Sequence, residues 1–235
     1  MHEETLNRVL DVLKSILGTR LISFIMYGSS HTGEYHKGYS NINTMAIVTG
    51  ITMKEIAQIG KELKWFLYKG NPSPLIFTRE ELDSFKDVFP IEMLDIIEHH
   101  TLVYGDADPL KDINLNLKNL RTQCESELKA KLIRLRQSLF VHYSEKKAAM
   151  LMANSVSSIM AIFKGVLRLK GIPAPAHKRE ILSRISELVG FDQTPFLKII
   201  EVREGKYKFK KEEVFKTFEM YIEGILKVIN FIEKE

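Results

Sequence analysis

Tyr27-Gly28-Ser29-Ser30-His31-Thr32-Gly33-Glu34-Tyr35-His36-Lys37-Gly38-Tyr39-Ser40-Asn41-Ile42-Asn43-Thr44-Met45-Ala46-Ile47-Val48 is the stretch on which the reading of this chain turns. It is entered from Leu21 to Tyr27, a short apolar run with β-branched and aromatic members, which reads as a buried strand. Gly28-Ser29-Ser30 ends that strand, a loop rich in Gly, His and Tyr extends to Ser40, and Ile42 to Thr49 reads as a second strand. A glycine lets backbone approach a phosphate closely. The Ser29 and Ser30 hydroxyls and neighbouring backbone N–H groups can donate to phosphate oxygens. Residues i and i+2 of a strand share a face, so Asn41 and Asn43 are expected side by side.

Outward from this stretch the hydrophobic period assigns the other elements. Leu6, Val9, Leu10, Leu13, Ile16 and Leu17 fall on one helical face, and Gly18 supplies a stop. Thr52 with Glu55 forms a capping-box pattern that opens a helix through about Tyr68, and Thr78 with Glu81 repeats the pattern. Leu75-Ile76-Phe77 reads as a third strand, Pro90 to His99 as a helix, and Leu102-Val103-Tyr104 as a fourth strand. After Gly105 the pattern changes. Leu117, Leu120, Cys124, Leu128, Leu132, Leu135 and Leu139 recur at spacings of three and four, and helices follow over Glu145 to Lys170, over His177 to Val189, after Pro195, and over Lys211 to Glu233. The expected fold class is α+β: a small mixed β-sheet flanked by helices over residues 1–110, then an all-α helical-bundle domain over residues 111–235.

Bulk properties set bounds on function. A chain of 235 residues, 45% hydrophobic and 27% charged, has the composition of a globular protein with a sizeable core rather than a disordered one. The net charge of +4 is compatible with an anionic ligand but too mild to make nucleic acid the expected partner. Cys124 is the single cysteine, so no disulfide forms within the chain, which fits a reducing cytoplasm. No signal-peptide pattern follows the polar start, and Leu21 to Tyr27 is too short to span a bilayer, so no membrane partner is expected.

The stretch from Tyr27 to Val48 resembles the signature of the DNA polymerase beta-type nucleotidyltransferases. In that superfamily a strand ends in Gly-Ser, and the next strand carries two aspartates one residue apart. A third carboxylate arrives from a neighbouring strand. The resemblance implies a site where carboxylates share hard cations that bridge a nucleoside triphosphate to an acceptor hydroxyl. Here Asn41 and Asn43 stand at the aspartate positions, and Ser73-Pro74-Leu75-Ile76-Phe77-Thr78 offers no third acid. An asparagine carbonyl can ligate a cation but brings no negative charge. Further stretches, among them Thr78-Arg79-Glu80-Glu81-Leu82, Asp108-Pro109 and Leu120-Arg121-Thr122-Gln123-Cys124, are similar to an uncharacterised bacterial family of nucleotidyltransferase-domain proteins. Its strand typically carries Ser-Asp-Ile-Asn. The second half resembles the substrate-binding helical domains that follow such catalytic domains, including those of aminoglycoside nucleotidyltransferases and of the HEPN group.

Three functional expectations follow from the resemblance. The first is a cytoplasmic bacterial pseudoenzyme that binds a nucleotide, another small anion, or a protein partner or second copy in its interdomain cleft. Gly28, Ser29 and Ser30 would be its phosphate contacts, with no metal ligands and no cofactor, magnesium entering only if activity persists. The second is an active enzyme that transfers a nucleoside monophosphate to a small-molecule or protein hydroxyl, with Asn41, Asn43 and Glu34 as unusual ligands. The third is a toxin–antitoxin-type interaction module or HEPN-like ribonuclease, in which Arg136 and His142 would polarise a phosphodiester.

Other candidates read more plainly. His99-His100, His31 and His36 lack the Cys or acidic companions of a metal site and are expected to be solvated or hydrogen-bonded. Cys124 lies on an apolar stripe and reads as a buried structural thiol. Glu92 and Asp95 read as solvated acids. Lys129, Lys131, Arg134 and Arg136 form one basic cluster, and Lys206, Lys208, Lys210 and Lys211 another. Each reads as a solvated face, or alternatively as the wall of an anion site, with Tyr207 and Phe209 forming a short strand or a stacking surface.

Overall fold

The structure, a computed structural model, describes residues 2–28, 41–141, 143–175 and 177–234. The chain divides into two compact units, Met1–Leu115 and Asn116–Glu235.

The first unit is a four-stranded mixed sheet with helices on both faces. It opens with α1 (His2–Leu17) and a single 3₁₀ turn (Gly18–Arg20), followed by β1 (Leu21–Tyr27) and β2 (Asn43–Val48). Then come α2 (Met53–Glu62), α3 (Lys64–Leu67), β3 (Leu75–Thr78), α4 (Arg79–Val88), α5 (Pro90–Glu98) and β4 (His100–Tyr104). The strand order is β3-β2-β1-β4; β1 runs antiparallel to β2 and to β4, and β2 runs parallel to β3.

Strand alternation explains the two cores. Phe24, Ile42, Ala46 and Val48 pack with Val9 and Leu13 of α1 and with Ile59, Leu63 and Phe66 on one side of the sheet. Ile25, Met45 and Ile47 pack with Leu82, Met93, Ile96 and Leu110 on the other. Because both faces are covered, β1 and β2 are apolar along nearly their whole length, and this is why their sequences run continuously rather than alternate.

Both capping boxes form. The Thr52 hydroxyl accepts from the Glu55 N–H at 3.3 Å while the Glu55 carboxylate accepts from the Thr52 N–H at 2.9 Å. Thr78 and Glu81 do the same at 3.1 and 2.7 Å. The helix expected through Tyr68 instead breaks at Leu63, giving α2 and α3. Between β3 and β4 there are two helices where the hydrophobic period suggested one. Pro90 cannot continue the α4 ladder and opens α5, with Phe85 and Phe89 stacked at 4.4 Å across the bend.

The second unit is wholly helical: α6 (Leu117–Val141), α7 (Glu145–Leu169), α8 (Lys178–Val189), α9 (Thr194–Arg203) and α10 (Lys211–Glu233). Leu120, Cys124, Leu128, Leu132 and Leu135 form the buried stripe of α6. Phe163, Phe191, Phe196 and Tyr221 make a continuous aromatic centre, the tightest ring pair being Phe196 and Tyr221 at 4.6 Å. The buried Tyr221 hydroxyl meets the Ser155 hydroxyl at 2.9 Å, and burial pushes the phenol's pKa up. One helix among the described residues, α7, is long and apolar enough to cross a membrane, but half of that apolar window is buried inside the fold. The Lys206–Lys210 stretch is loop rather than strand; Tyr207 and Phe209 meet edge to face at 5.7 Å, and the Tyr207 hydroxyl donates to Glu213 at 2.6 Å.

Candidate strand-end site

The C-terminal end of β1 and the N-terminal ends of β2, β3 and β4 lie at the same edge of the sheet, because β2 and β4 run against β1 and β3 runs with β2. Tyr27 is paired with Asn43 on one side and with His100 on the other. Residues directly opposite across antiparallel strands share a face. Asn43, Tyr27 and His100 therefore form a row across the end of the sheet, on the face occupied further in by Met45 and Ile25.

Gly28 ends β1 with a φ of 88°, a left-handed conformation that suits glycine. Its N–H donates to the His99 carbonyl at 2.9 Å. A Cβ added at Gly28 would lie 2.7 Å from Nδ2 of Asn43, so the glycine is what lets this backbone and the asparagine amide lie against each other. Asn43 is half-buried, and its carboxamide is held at the very point where β1 gives way to the loop.

Asn41 is placed differently. It is exposed, precedes β2, and its Oδ1 lies 3.8 Å from the position a Cβ on Gly70 would take, in the turn between α3 and β3. The backbone between the two asparagines is pinned from that turn. The Ile42 N–H donates to Oδ1 of Asn71 at 2.9 Å, and Nδ2 of Asn71 donates to the Phe66 carbonyl at 3.1 Å. Asn71 was legible in the sequence only as part of a Gly-Asn-Pro chain break, yet it fixes the entry to β2. β3 pairs with β2 from Met45 opposite Leu75 to Val48 opposite Thr78 and reads Leu-Ile-Phe-Thr, so no acid stands on that neighbouring strand.

A second polar arrangement starts from His100, which is hydrogen-bonded as its sequence reading allowed. His100 Nδ1 lies 2.9 Å from the Ile97 carbonyl and Nε2 lies 2.9 Å from Oδ2 of Asp108. Oδ1 of Asp108 accepts from the Leu110 N–H at 2.9 Å. Burial opposes ionisation of Asp108, but the bonds from His100 and Leu110 outweigh it and hold the carboxyl below its usual range. With oxygen partners at both ring nitrogens, His100 is a clamp between β4 and the following loop rather than an available base. Burial pushes the pKa of the Tyr27 phenol up.

The remaining candidates scatter. Ser29, Ser30, His31, Glu34, His36 and His142 lie outside the described residues. Glu92 and Asp95 sit on α5, the first exposed and the second half-buried. Arg136 is exposed on α6. Cys124 is buried, its thiol directed at the Ile162 carbonyl at 3.9 Å. Among the described residues no three His, Cys, Asp or Glu side chains gather as a metal-binding group.

The sheet, its flanking helices and the helical unit that follows define the fold class as that of the nucleotidyltransferases. A solved structure with this fold is the spectinomycin adenyltransferase from Enterococcus faecialis, determined with ATP and spectinomycin. It superposes with a TM-score of 0.60 over 95% of this chain and 98% of its own, at 13% sequence identity. The chain matches no protein-family model and no curated protein sequence.

Proposed function

We propose that this chain is a catalytically degenerate nucleotidyltransferase-fold protein that binds a nucleotide or another small anion at Gly28-Ser29-Ser30 without turning it over. The observation that carries this reading is the Asn43 carboxamide lying against Gly28, at the strand end where the superfamily's first-paired carboxylates belong. A carboxamide offers a neutral carbonyl and two donors where a cation needs anionic oxygen. Asn41 is neutral too, and β3 carries only Leu75, Ile76, Phe77 and Thr78 beside β2. These donors do not fit magnesium, so no catalytic step is assigned to it. The ATP in the spectinomycin adenyltransferase structure supports a nucleotide as the ligand class for this chain.

The test is label transfer and binding side by side. The pure chain is incubated with labelled nucleoside triphosphates, magnesium or manganese, and a pool of hydroxyl acceptors, while triphosphate affinity is measured by calorimetry. Binding without transfer is the expected outcome. Robust transfer that Ser29→Ala abolishes would show an active enzyme instead. The double change Asn41→Asp, Asn43→Asp restores two charges and should raise divalent affinity. It need not restore turnover, since a catalytic set works as a unit. A folded double variant that binds magnesium no better than the parent would mean that the strand end has diverged beyond its ligands.

A further inference from the structure

We propose that the groove between α6 and α7 is a binding site for a small phosphorylated polyol, separate from the strand end and built wholly within the helical unit. Lys131, Arg134, Leu135 and Ser138 of α6 line it with Leu151, Asn154, Ser155 and Ser158 of α7. Each set has the spacing i, i+3, i+4, i+7, so each is one continuous stripe on its helix, and the two stripes flank an open groove of about 200 Å³. That is below the roughly 300–1,000 Å³ of pockets for drug-sized ligands, a size that favours a monosaccharide-scale ligand.

The charge in the groove is uncompensated. Its lining holds two cations and no carboxylate. Two other basic residues on α6 are neutralised: Arg121 pairs with Glu125 at 3.2 Å, and Lys129 pairs with Glu125 at 2.6 Å and Glu233 at 2.7 Å, whereas Arg136 is exposed outside the groove. Among the described residues, no carboxylate pairs with Lys131 or Arg134. Two like charges one helical turn apart repel unless an anion lies between them, and a guanidinium beside an ammonium matches a phosphoryl group's several oxygens.

The neutral side chains specify the rest of the ligand. Ser158 spends its proton on the Ser155 carbonyl at 2.9 Å, so its oxygen remains as an acceptor for a ligand hydroxyl. Ser155 is held by the Met152 carbonyl at 3.2 Å and by the Tyr221 hydroxyl at 2.9 Å, which anchors the groove to α10. Asn154 is exposed and offers both donor and acceptor. Leu135, buried, and Leu151, half-buried, supply an apolar floor for a C–H face. Cations for the phosphoryl group, an oriented acceptor for a hydroxyl and an apolar floor together describe a sugar phosphate better than a bare anion.

The experiment titrates the full chain with glucose 6-phosphate, glucose and inorganic phosphate at matched ionic strength, by calorimetry and by amide NMR shifts. Glucose 6-phosphate should bind with a Kd below about 1 mM, with shifts centred on 131–138 and 151–158, and more tightly than glucose or phosphate. Lys131→Gln with Arg134→Gln should weaken it at least about tenfold, the scale of losing charge-assisted bonds. Ser158→Ala should weaken glucose 6-phosphate but not phosphate. Ser158→Leu, which fills the groove from an independent position, should abolish binding in a chain whose helical circular dichroism is unchanged. The proposal fails if glucose 6-phosphate binds no better than phosphate, or if the Lys131/Arg134 double variant binds like the parent. It fails as well if a single-stranded RNA oligonucleotide displaces the sugar phosphate at lower concentration, which would make the two cations part of a nucleic-acid surface.

Discussion

Two glycines illustrate how single residues set the local geometry, and they fail differently when replaced. Gly28 has positive φ and would place a Cβ against the Asn43 side chain, whereas Gly105, at φ 127°, would place one 2.9 Å from the Ile22 carbonyl of the backbone. Left-handed backbone costs an L-residue about 1–2 kcal/mol before any contact is counted. Gly28→Ala should therefore lose at least that much stability in urea titration, and the steric part should be recovered when Asn43→Ala is added. A double-mutant cycle gives the coupling, and strict additivity would show that the amide does not sit where the structure puts it. Gly105→Ala should cost more, with no side-chain change to relieve it, because the obstacle is a strand carbonyl. The glycine of the Gly-Ser pair was legible in sequence through its neighbours. The asymmetry between Asn41 and Asn43 was not, because the i, i+2 rule holds only inside a strand and β2 begins at Asn43. The His100–Asp108 clamp was equally hidden. Its partners lie eight residues apart and meet only because β4 turns back at Gly105.

At the level of elements, the capped start of α2 is also where this helix is tied to the strand before it. Glu55 accepts from the Thr52 N–H and hydroxyl and from the guanidinium of Arg20, which closes the turn leading into β1. The Arg20 bond, followed by those from Thr52, lowers the Glu55 carboxyl to about 2. A carboxyl depressed in the folded state stabilises fully above its unfolded pKa, about 4.3 for glutamate, and that contribution is lost as pH falls through the folded value. Asp108, also lowered, acts in the same direction. Unfolding midpoints should thus hold steady above about pH 5 and fall between about pH 4 and 2, and Glu55→Gln should lower the neutral-pH midpoint while flattening the acid limb. An unchanged acid limb in that variant would remove Glu55 from the account. Thr52→Ala, which deletes the cap without touching Arg20, should cost about 1 kcal/mol. Both boxes could be read directly from Thr-x-x-Glu, since capping is local chemistry. The break at Leu63 could not, because the apolar period runs on through it, whereas Pro90 marked the start of α5 and only the extent of α4 went unread. What ends α2 is packing, since Leu63 and Phe66 must both enter the core under the sheet, while Pro90 cannot continue the α4 ladder and restarts the chain toward Met93 and Ile96.

For the molecule as a whole, the change of hydrophobic period after Gly105 corresponds to a change in how apolar surface is buried. Residues up to Leu115 bury theirs on the two faces of a sheet, and those from Asn116 bury theirs among helices around an aromatic centre. Each unit has the size and the separate core of an independently folding domain. This predicts that a core lesion in one unit leaves the other intact. Phe196 is fully buried and touches Phe163, Phe191 and Tyr221, so Phe196→Ala opens a cavity that costs about 3–5 kcal/mol. Hydrogen exchange in that variant should accelerate throughout α7, α9 and α10. Protection of the β1 and β2 amides at Ile25, Met45 and Ile47, all fully buried in the first unit, should stay at the parent's level. A parallel loss of protection in both units would mean that they unfold as a single cooperative body. The same comparison separates the two proposed sites. If the units are independent, a ligand at the α6–α7 groove should slow exchange only in the helical unit, and a nucleotide at Gly28 should slow it around β1 and β2. Ligands that protect both units equally would contradict the assignment of one site to each.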